Sequence, residues 1–291
     1  MELNTRAVTG PVRDAATIIM LRDARGGLEV FLIKRHGLSD VLGGAYVFPG
    51  GKVDSGDALL EMASHVDAQP DQLHAALGEP QLDPLAAAGL YVTALREAFE
   101  ETGVLFAQGA DSALAARATA LLREGRAFDE VAALLKLRLN ASALTPWTRW
   151  ITPKVPSVMN KRFDTRFFVA AAPPGQNATH DNHEATESVW LPPRNALQLY
   201  WERAIELAPP QIMSLAHLAR YDSVASVLQH ARGRLPPVIQ PEPFELDGVR
   251  VICYPGDARH PTQQRAMPGP TRLHYRDKRF EPAGGFDALF G

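Results

Sequence analysis

Cysteine is almost missing: Cys253 is the one thiol in 291 residues, so no intramolecular disulfide is available. That suits a reducing compartment, and a cytoplasmic location is the expectation. Long apolar runs are missing too. The opening stretch MELNTRAVTGPVRDAATIIMLRDARGG has one short apolar segment, interrupted at Arg22 and Asp23, and nothing further along is long enough to cross a bilayer. A soluble, unexported protein without a membrane partner is expected. Nor is there an excess of basic charge. A formal net charge of −3 provides no broad positive field, which argues against nucleic acid as a partner. A polyphosphate ligand would need local help, from a few arginines and lysines or from bound cations. Internal repeats and low-complexity tracts are also absent. What the chain does have is 46% hydrophobic residues, enough to bury the core of one large domain or of one domain with sizeable additions.

Two β-type runs, ATIIMLR (Ala16 to Arg22) and LEVFLIKR (Leu28 to Arg35), flank DARGG and read as an antiparallel hairpin. A glycine-rich stretch follows, LSDVLGGAYVFPGGKVDSGD, with a short strand AYVF between its Gly-Gly pairs. The alanine-rich region after Asp57 is broken by Pro70 and Pro80 and predicts two short surface helices. A longer helix of about five turns is bracketed by Asp83 as N-cap, Pro84 at its first position and Gly103 at its stop, with Tyr91, Leu95 and Phe99 recurring every four residues. Further helices are expected over 111–123 and 128–137, strands in TRWITP, RFDTRFFVAAAP and SVWLPP, and helices over 195–206 and 210–231. From Pro236 the chain is proline-rich and irregular, with one clear strand, VRVICY, and a weaker candidate, TRLHYRD. It reads as an appendage packed on the main body.

The long helix ends in ALREAFEETGVLF. At about 100° per residue, Glu97 and Glu101 stand roughly 40° apart, Glu100 lies about 60° to the other side, and all three carboxylates share one face. Arg96 is one turn before Glu100 and positioned to pair with it. Oxygen-rich clusters of this kind suit Mg²⁺ or Mn²⁺ rather than zinc. Spacing alone favours a solvated acidic face. Against that bland reading, the acids occupy the last turns, where the helix dipole disfavours negative charge.

GKVDSGD and REAFEETGV resemble the two halves of the Nudix box, Gly-x5-Glu-x7-Arg-Glu-U-x-Glu-Glu-x-Gly-U, in which U is a bulky aliphatic. Gly51 takes the first glycine, and Arg96, Glu97, Glu100, Glu101, Gly103 and Val104 take the second half, with Ala98 small for U. Two departures stand out: Asp57 occupies the position where Glu is usual, and 38 residues rather than seven separate it from Arg96. A long insertion at this point is similar to a Nudix subgroup that includes the peroxisomal coenzyme A diphosphatases of animals, and VFPGGKVD, PWTRWITP and RFDTRFF add to the likeness. The closing FDALFG lacks the peroxisomal address of those relatives. The resemblance implies an α/β (α+β) Nudix fold, a mixed β-sheet sandwiched between helices, as a domain over 1–235 with a helical insertion at 58–88 and a C-terminal extension over 236–291. It implies Glu97 and Glu101 as metal ligands, Glu100 as the helper that binds through water or assists the base, a Gly50 or Gly51 carbonyl as a further ligand, and Arg96 as the group that orients the acids. The insertion falls near the substrate entrance on this reading, as a lid or a dimer contact.

Outside the box, a further carboxylate is expected from HDNHEATESVW, where Asp181, Glu184 and Glu187 compete and Glu184 is preferred. Lys34 and Arg35 end a strand near the glycine loop, either against substrate phosphates or facing solvent. Arg162 and Arg166 flank Asp164 on one face of a strand, and an ion pair of either or both with Asp164 is slightly preferred over the phosphate contact that is also carried for Arg166. His180 and His183 have no ligand-like spacing, Trp147 and Trp150 read as packing residues, and Cys253 as a buried inert thiol. The expected activity is metal-dependent hydrolysis of a pyrophosphate linkage in a small-molecule nucleotide, coenzyme A or an acyl-CoA first and ADP-ribose or NADH as the alternative. A homodimer is one available assembly. A nucleotide-binding module without turnover and an acidic helix on a structural protein are the readings of other classes.

Overall fold

The computed structural model describes residues 3–291 apart from 5, 38–41, 60–64, 156–160 and 182–184. Its central strand, β1 (Arg13–Ala24), is buried without a break from Ala15 to Leu21, as a strand covered on both faces requires. β2 (Gly27–Arg35) closes the expected hairpin on it, antiparallel with Ala24 opposite Gly27. On its other side β1 runs parallel to β6 (Phe163–Ala171), which carries β5 (Thr145–Ile151) antiparallel. Two-residue β3 (Tyr46–Val47) and β7 (Ala185–Leu191) both pair with β2, and β4 (Gly50–Lys52) lies antiparallel across the start of β1. The last strand of this eight-stranded mixed sheet, β8 (Val238–Ile239), runs parallel to β5.

Alternation along β1 divides the core in two. Ile18 and Met20 face α1 (Ser55–Leu59), α2 (Pro70–Leu77), α3 (Pro84–Thr102), α4 (Ser112–Arg123) and α5 (Phe128–Leu135) on their side of the sheet; that core draws on Leu73, Leu95, Ala118 and Val131. Ile19 and Leu21 face the other way, toward α6 (Pro193–Trp201), α7 (Pro209–Leu218) and α8 (Val224–Arg232). The mixed sheet is thus sandwiched between helices. One long helix expected over 210–231 is instead two, because Ser223 caps a new start by accepting from the Ser226 N–H.

The C-terminal segment holds more order than one strand. β9 (Glu242–Leu246), β10 (Val249–Cys253), β11 (Arg272–Arg276) and β12 (Arg279–Glu281) form a separate antiparallel sheet. Asp247-Gly248 turns the first hairpin with both residues at positive φ, 51° and 75°, a standard two-residue connection that the prolines around it disguise in the sequence. Ile252, Tyr254, Leu273 and Phe280 belong to the same core as Ile19 and Leu21. Among the described residues, no helix is long and apolar enough to cross a membrane.

Candidate active site

The acidic helix forms as its caps dictate. The Asp83 carboxylate accepts from the Leu85 and Ala86 N–H groups, Pro84 opens α3, and Gly103 at φ 71° ends it. Its last two turns lie under β4. The contact is close enough to require glycine: a Cβ on Gly51 would stand 2.2 Å from Glu97 Oε1, and one on Gly50 2.5 Å from the Ala16 carbonyl oxygen. The Gly50 N–H donates to Glu101 Oε2 at 2.8 Å, which ties the glycine strand to the last glutamate of the helix.

Arg96 is the electrostatic hub. Its Nε and Nη2 donate to the two oxygens of Asp57 at 2.8 and 3.0 Å, its Nη1 reaches Glu97 Oε1 and Glu100 Oε2 at 2.9 Å each, and Nη2 also bonds the Lys52 carbonyl at 3.1 Å. Asp57 is buried and takes further bonds from Thr93 Oγ1 and the Asp54 N–H, so the shorter acid at this position is fully used in clamping Arg96. Burial opposes the Arg96 charge, but the bonds and charges of Asp57, Glu97 and Glu100 outweigh it and hold its pKa above the ordinary value. Glu100 is raised above the usual carboxylate range, chiefly by burial, with Arg96 pulling the other way. The three glutamates differ in exposure: side chains 12%, 36% and 3% accessible for Glu97, Glu100 and Glu101.

This donor set suits a hard divalent cation, being built of carboxylates beside a glycine backbone, with no thiol or imidazole among the described residues lining the adjoining cavity. Among the described residues, no group of three or more His, Cys, Asp or Glu side chains is gathered tightly enough to hold an ion: Arg96 draws Glu97 and Glu100 to itself while Gly50 holds one oxygen of Glu101.

A cavity of about 440 Å³ opens beside Gly50, Gly51 and Glu97. Arg35 lines it, with Nη1 4.0 Å from Glu101 Oε1. Lys34, pointing the other way on β2, pairs instead with Glu187 at 2.6 Å, and Tyr46 donates to the same carboxylate at 2.7 Å. Arg166 also lies off the cavity. It makes a two-pronged bond to Glu79, at 3.0 and 2.7 Å, and pairs with Asp14 and with Asp164. Arg162 takes no part and donates to the Thr152 and Pro153 carbonyls. Asp181 caps the Ala185 N–H, while Glu184 and His183 lie outside the described residues. Burial, with Asp257 adding to it, pushes the Cys253 thiol up to about 11, as an inert cysteine requires.

Sequence reasoning missed most of the cavity wall. Thr165 and Phe167 alternate with Asp164 and Arg166 along β6, so period two already places them on the opposite face. Arg13, Lys161, Gln211 and the tail residues Pro241 and Ile252 left no such signal. Of the insertion, residues 60–64 lie outside the described residues; α2 packs along α3, with the Tyr91 hydroxyl donating to the Leu73 carbonyl, and none of the described residues of the insertion lines the cavity.

A mixed sheet between helical layers, with a glycine strand laid over the acidic end of a helix, is the construction of a Nudix hydrolase. The family model described as the NUDT19 Nudix domain matches residues 12–218, well over half of the chain, and the protein belongs to that family. It is similar to the acyl-coenzyme A diphosphatase NUDT19 of Xenopus laevis, 26% identical over 276 residues that cover 80% of this chain and 71% of the relative. The protein of the same name from Gallus gallus is 27% identical over 263 residues, 73% of this chain and 69% of that one. Among solved structures, a NUDIX hydrolase from Alicyclobacillus acidocaldarius superposes with a TM-score of 0.63 at 28% identity, covering 78% of this chain and 98% of that one.

Proposed function

We propose that this protein hydrolyses the pyrophosphate linkage of coenzyme A or an acyl-CoA with the help of Mg²⁺ or Mn²⁺. The observation that carries the reading is the complete acid set of the box, clamped by Arg96 and Asp57 under Gly50 and Gly51, at the mouth of a cavity that also holds Arg35. The substrate class follows the relatives, which are named acyl-coenzyme A diphosphatases.

In this reading Glu97 and Glu101 would hold the cation, helped by a carbonyl of the glycine strand, and Arg96 keeps Glu97 and Glu100 in place. A divalent cation supplies charge neutralisation at the phosphate oxygens and lowers the pKa of the attacking water. Arg35 would meet the diphosphate, and Glu100, the most accessible of the three carboxylates, would accept a proton from the attacking water. Water attack breaks one P–O bond of the anhydride and leaves two phosphate-bearing products.

Turnover of a panel of CoA, an acyl-CoA, ADP-ribose and NADH, with and without added Mg²⁺ or Mn²⁺, tests this. CoA species are expected to yield a phosphopantetheine product only with metal. Glu101→Gln is expected to lose on the order of 10²-fold or more, since even supporting residues at metal sites cost about 10–100-fold. Cleavage of ADP-ribose or NADH with CoA untouched would sink the substrate assignment, and binding without turnover of any of the four would sink the enzymatic one.

A further inference from the structure

The cavity has two chemical halves. Its described cations, Arg13, Arg35, Lys52 and Lys161, all come from β1, β2, β4 and the approach to β6. The lining residues from the first turn of α7 and from the tail bring no charge: Pro209, Pro210, Pro241 and Ile252 contribute hydrocarbon. Two prolines at the head of α7 also remove two of the free N–H groups that would make a helix start attractive to phosphate. One polar side chain interrupts this neutral wall. Gln211 is 6% exposed, and its buried Oε1 has no hydrogen-bond partner. A buried carboxamide oxygen left unbonded is costly, and a turn of the Gln211 carboxamide into the cavity it lines would let a ligand supply the missing partner.

We propose that Gln211 is a substrate-positioning residue that pairs with an amide of the pantetheine arm of the substrate, so that the neutral half of the cavity selects that arm. The inference rests on the CoA reading above and deepens it. Coenzyme A carries its diphosphate and 3′-phosphate on the nucleotide side, which matches the cationic half. Its pantetheine arm is uncharged, with a branched aliphatic segment and two amides, and matches hydrocarbon walls around one carboxamide. A carboxamide offers a donor and an acceptor side by side, and a substrate amide offers the complement. The C-terminal segment thereby acquires a role in the site, as part of the wall on which this arm lies.

The test is calorimetric titration of the full chain, wild type and Gln211→Leu, with two fragments: 4′-phosphopantetheine and adenosine 3′,5′-bisphosphate. Gln211→Leu is expected to weaken phosphopantetheine about three- to tenfold, the worth of one neutral hydrogen bond, and to leave the nucleotide fragment unchanged. Its melting temperature is expected to be equal to or above that of the wild type, because an unsatisfied buried oxygen is removed. In turnover of CoA, KM rises by the same factor and kcat holds. Equal weakening of both fragments, weakening of the nucleotide alone, no change in either, or a wild type that does not bind phosphopantetheine overturns the proposal. Absence of CoA turnover by the wild type is read separately and counts against the proposed function.

Discussion

Asp57 contributes both oxygens to Arg96, and through Arg96 it governs two of the three glutamates. Asp57→Ala strands a buried guanidinium, so it is expected to cost about 3–5 kcal/mol of stability, read by denaturant unfolding, together with most of the turnover. Gly51 acts by absence of a side chain. Gly51→Ala puts a methyl against the Glu97 carboxylate, the movable end of a side chain, so the fold is expected to survive with little change in melting temperature while turnover falls. A Gly51→Ala variant that kept full activity would show that Glu97 does not need its place beneath β4. Both residues stand in GKVDSGD, and their partners stand across the insertion; the motif names the participants, and the contacts exist only once α3 lies under β4.

At the scale of elements, the insertion is held to the sheet by charge as well as by its apolar face. Glu79, in the turn after α2, is half-buried and pairs with Arg166 of β6 at 2.7 Å and with Arg149 of β5 at 2.8 Å. Glu79→Gln keeps the shape and removes the charge, leaving two arginines short of a carboxylate. Stability is expected to fall by about 3 kcal/mol, with the loss concentrated in α2, where hydrogen exchange should accelerate more than in β1. Turnover should change far less than in Asp57→Ala, since no described residue of the insertion reaches the cavity. The ends of α3 were legible from Asp83, Pro84 and Gly103 because capping is settled within a few residues. The Arg166–Glu79 bond was not, because its partners are 87 positions apart and Asp164, two residues away, satisfied the local expectation.

Across the whole molecule, acid stability should be set in part by a buried histidine. His217 on α7 packs on Trp147 of β5 at 4.5 Å between ring centroids, with His230, Arg234, Tyr221 and Arg220 around it. Burial, followed by the charges of Arg234, His230 and Arg220, lowers its pKa from 6.5 to about 3. Between those values the unfolded chain binds a proton that the folded chain refuses. Stability from this group is therefore complete above about pH 6.5 and is lost as pH falls toward about 3, at roughly 1.4 kcal/mol per pH unit. Urea unfolding of wild type and His217→Gln from pH 7 to pH 5 should show a flatter profile for the variant; parallel profiles would mean that other groups set the acid limit.

The sequence by itself determined the Nudix box, the hairpin and the capped helix, because each is written in short-range steric and hydrogen-bonding preferences or in residue types at fixed spacing. Only the tertiary structure decided that Lys34 turns to Glu187 while Arg35 turns to Glu101, that Arg166 anchors the insertion, and that Pro241 and Ile252 from the tail wall the same cavity as Gly50. These outcomes depend on which side chains meet once a sheet has brought together strands far apart in sequence, and that pairing is a property of the folded chain as a whole.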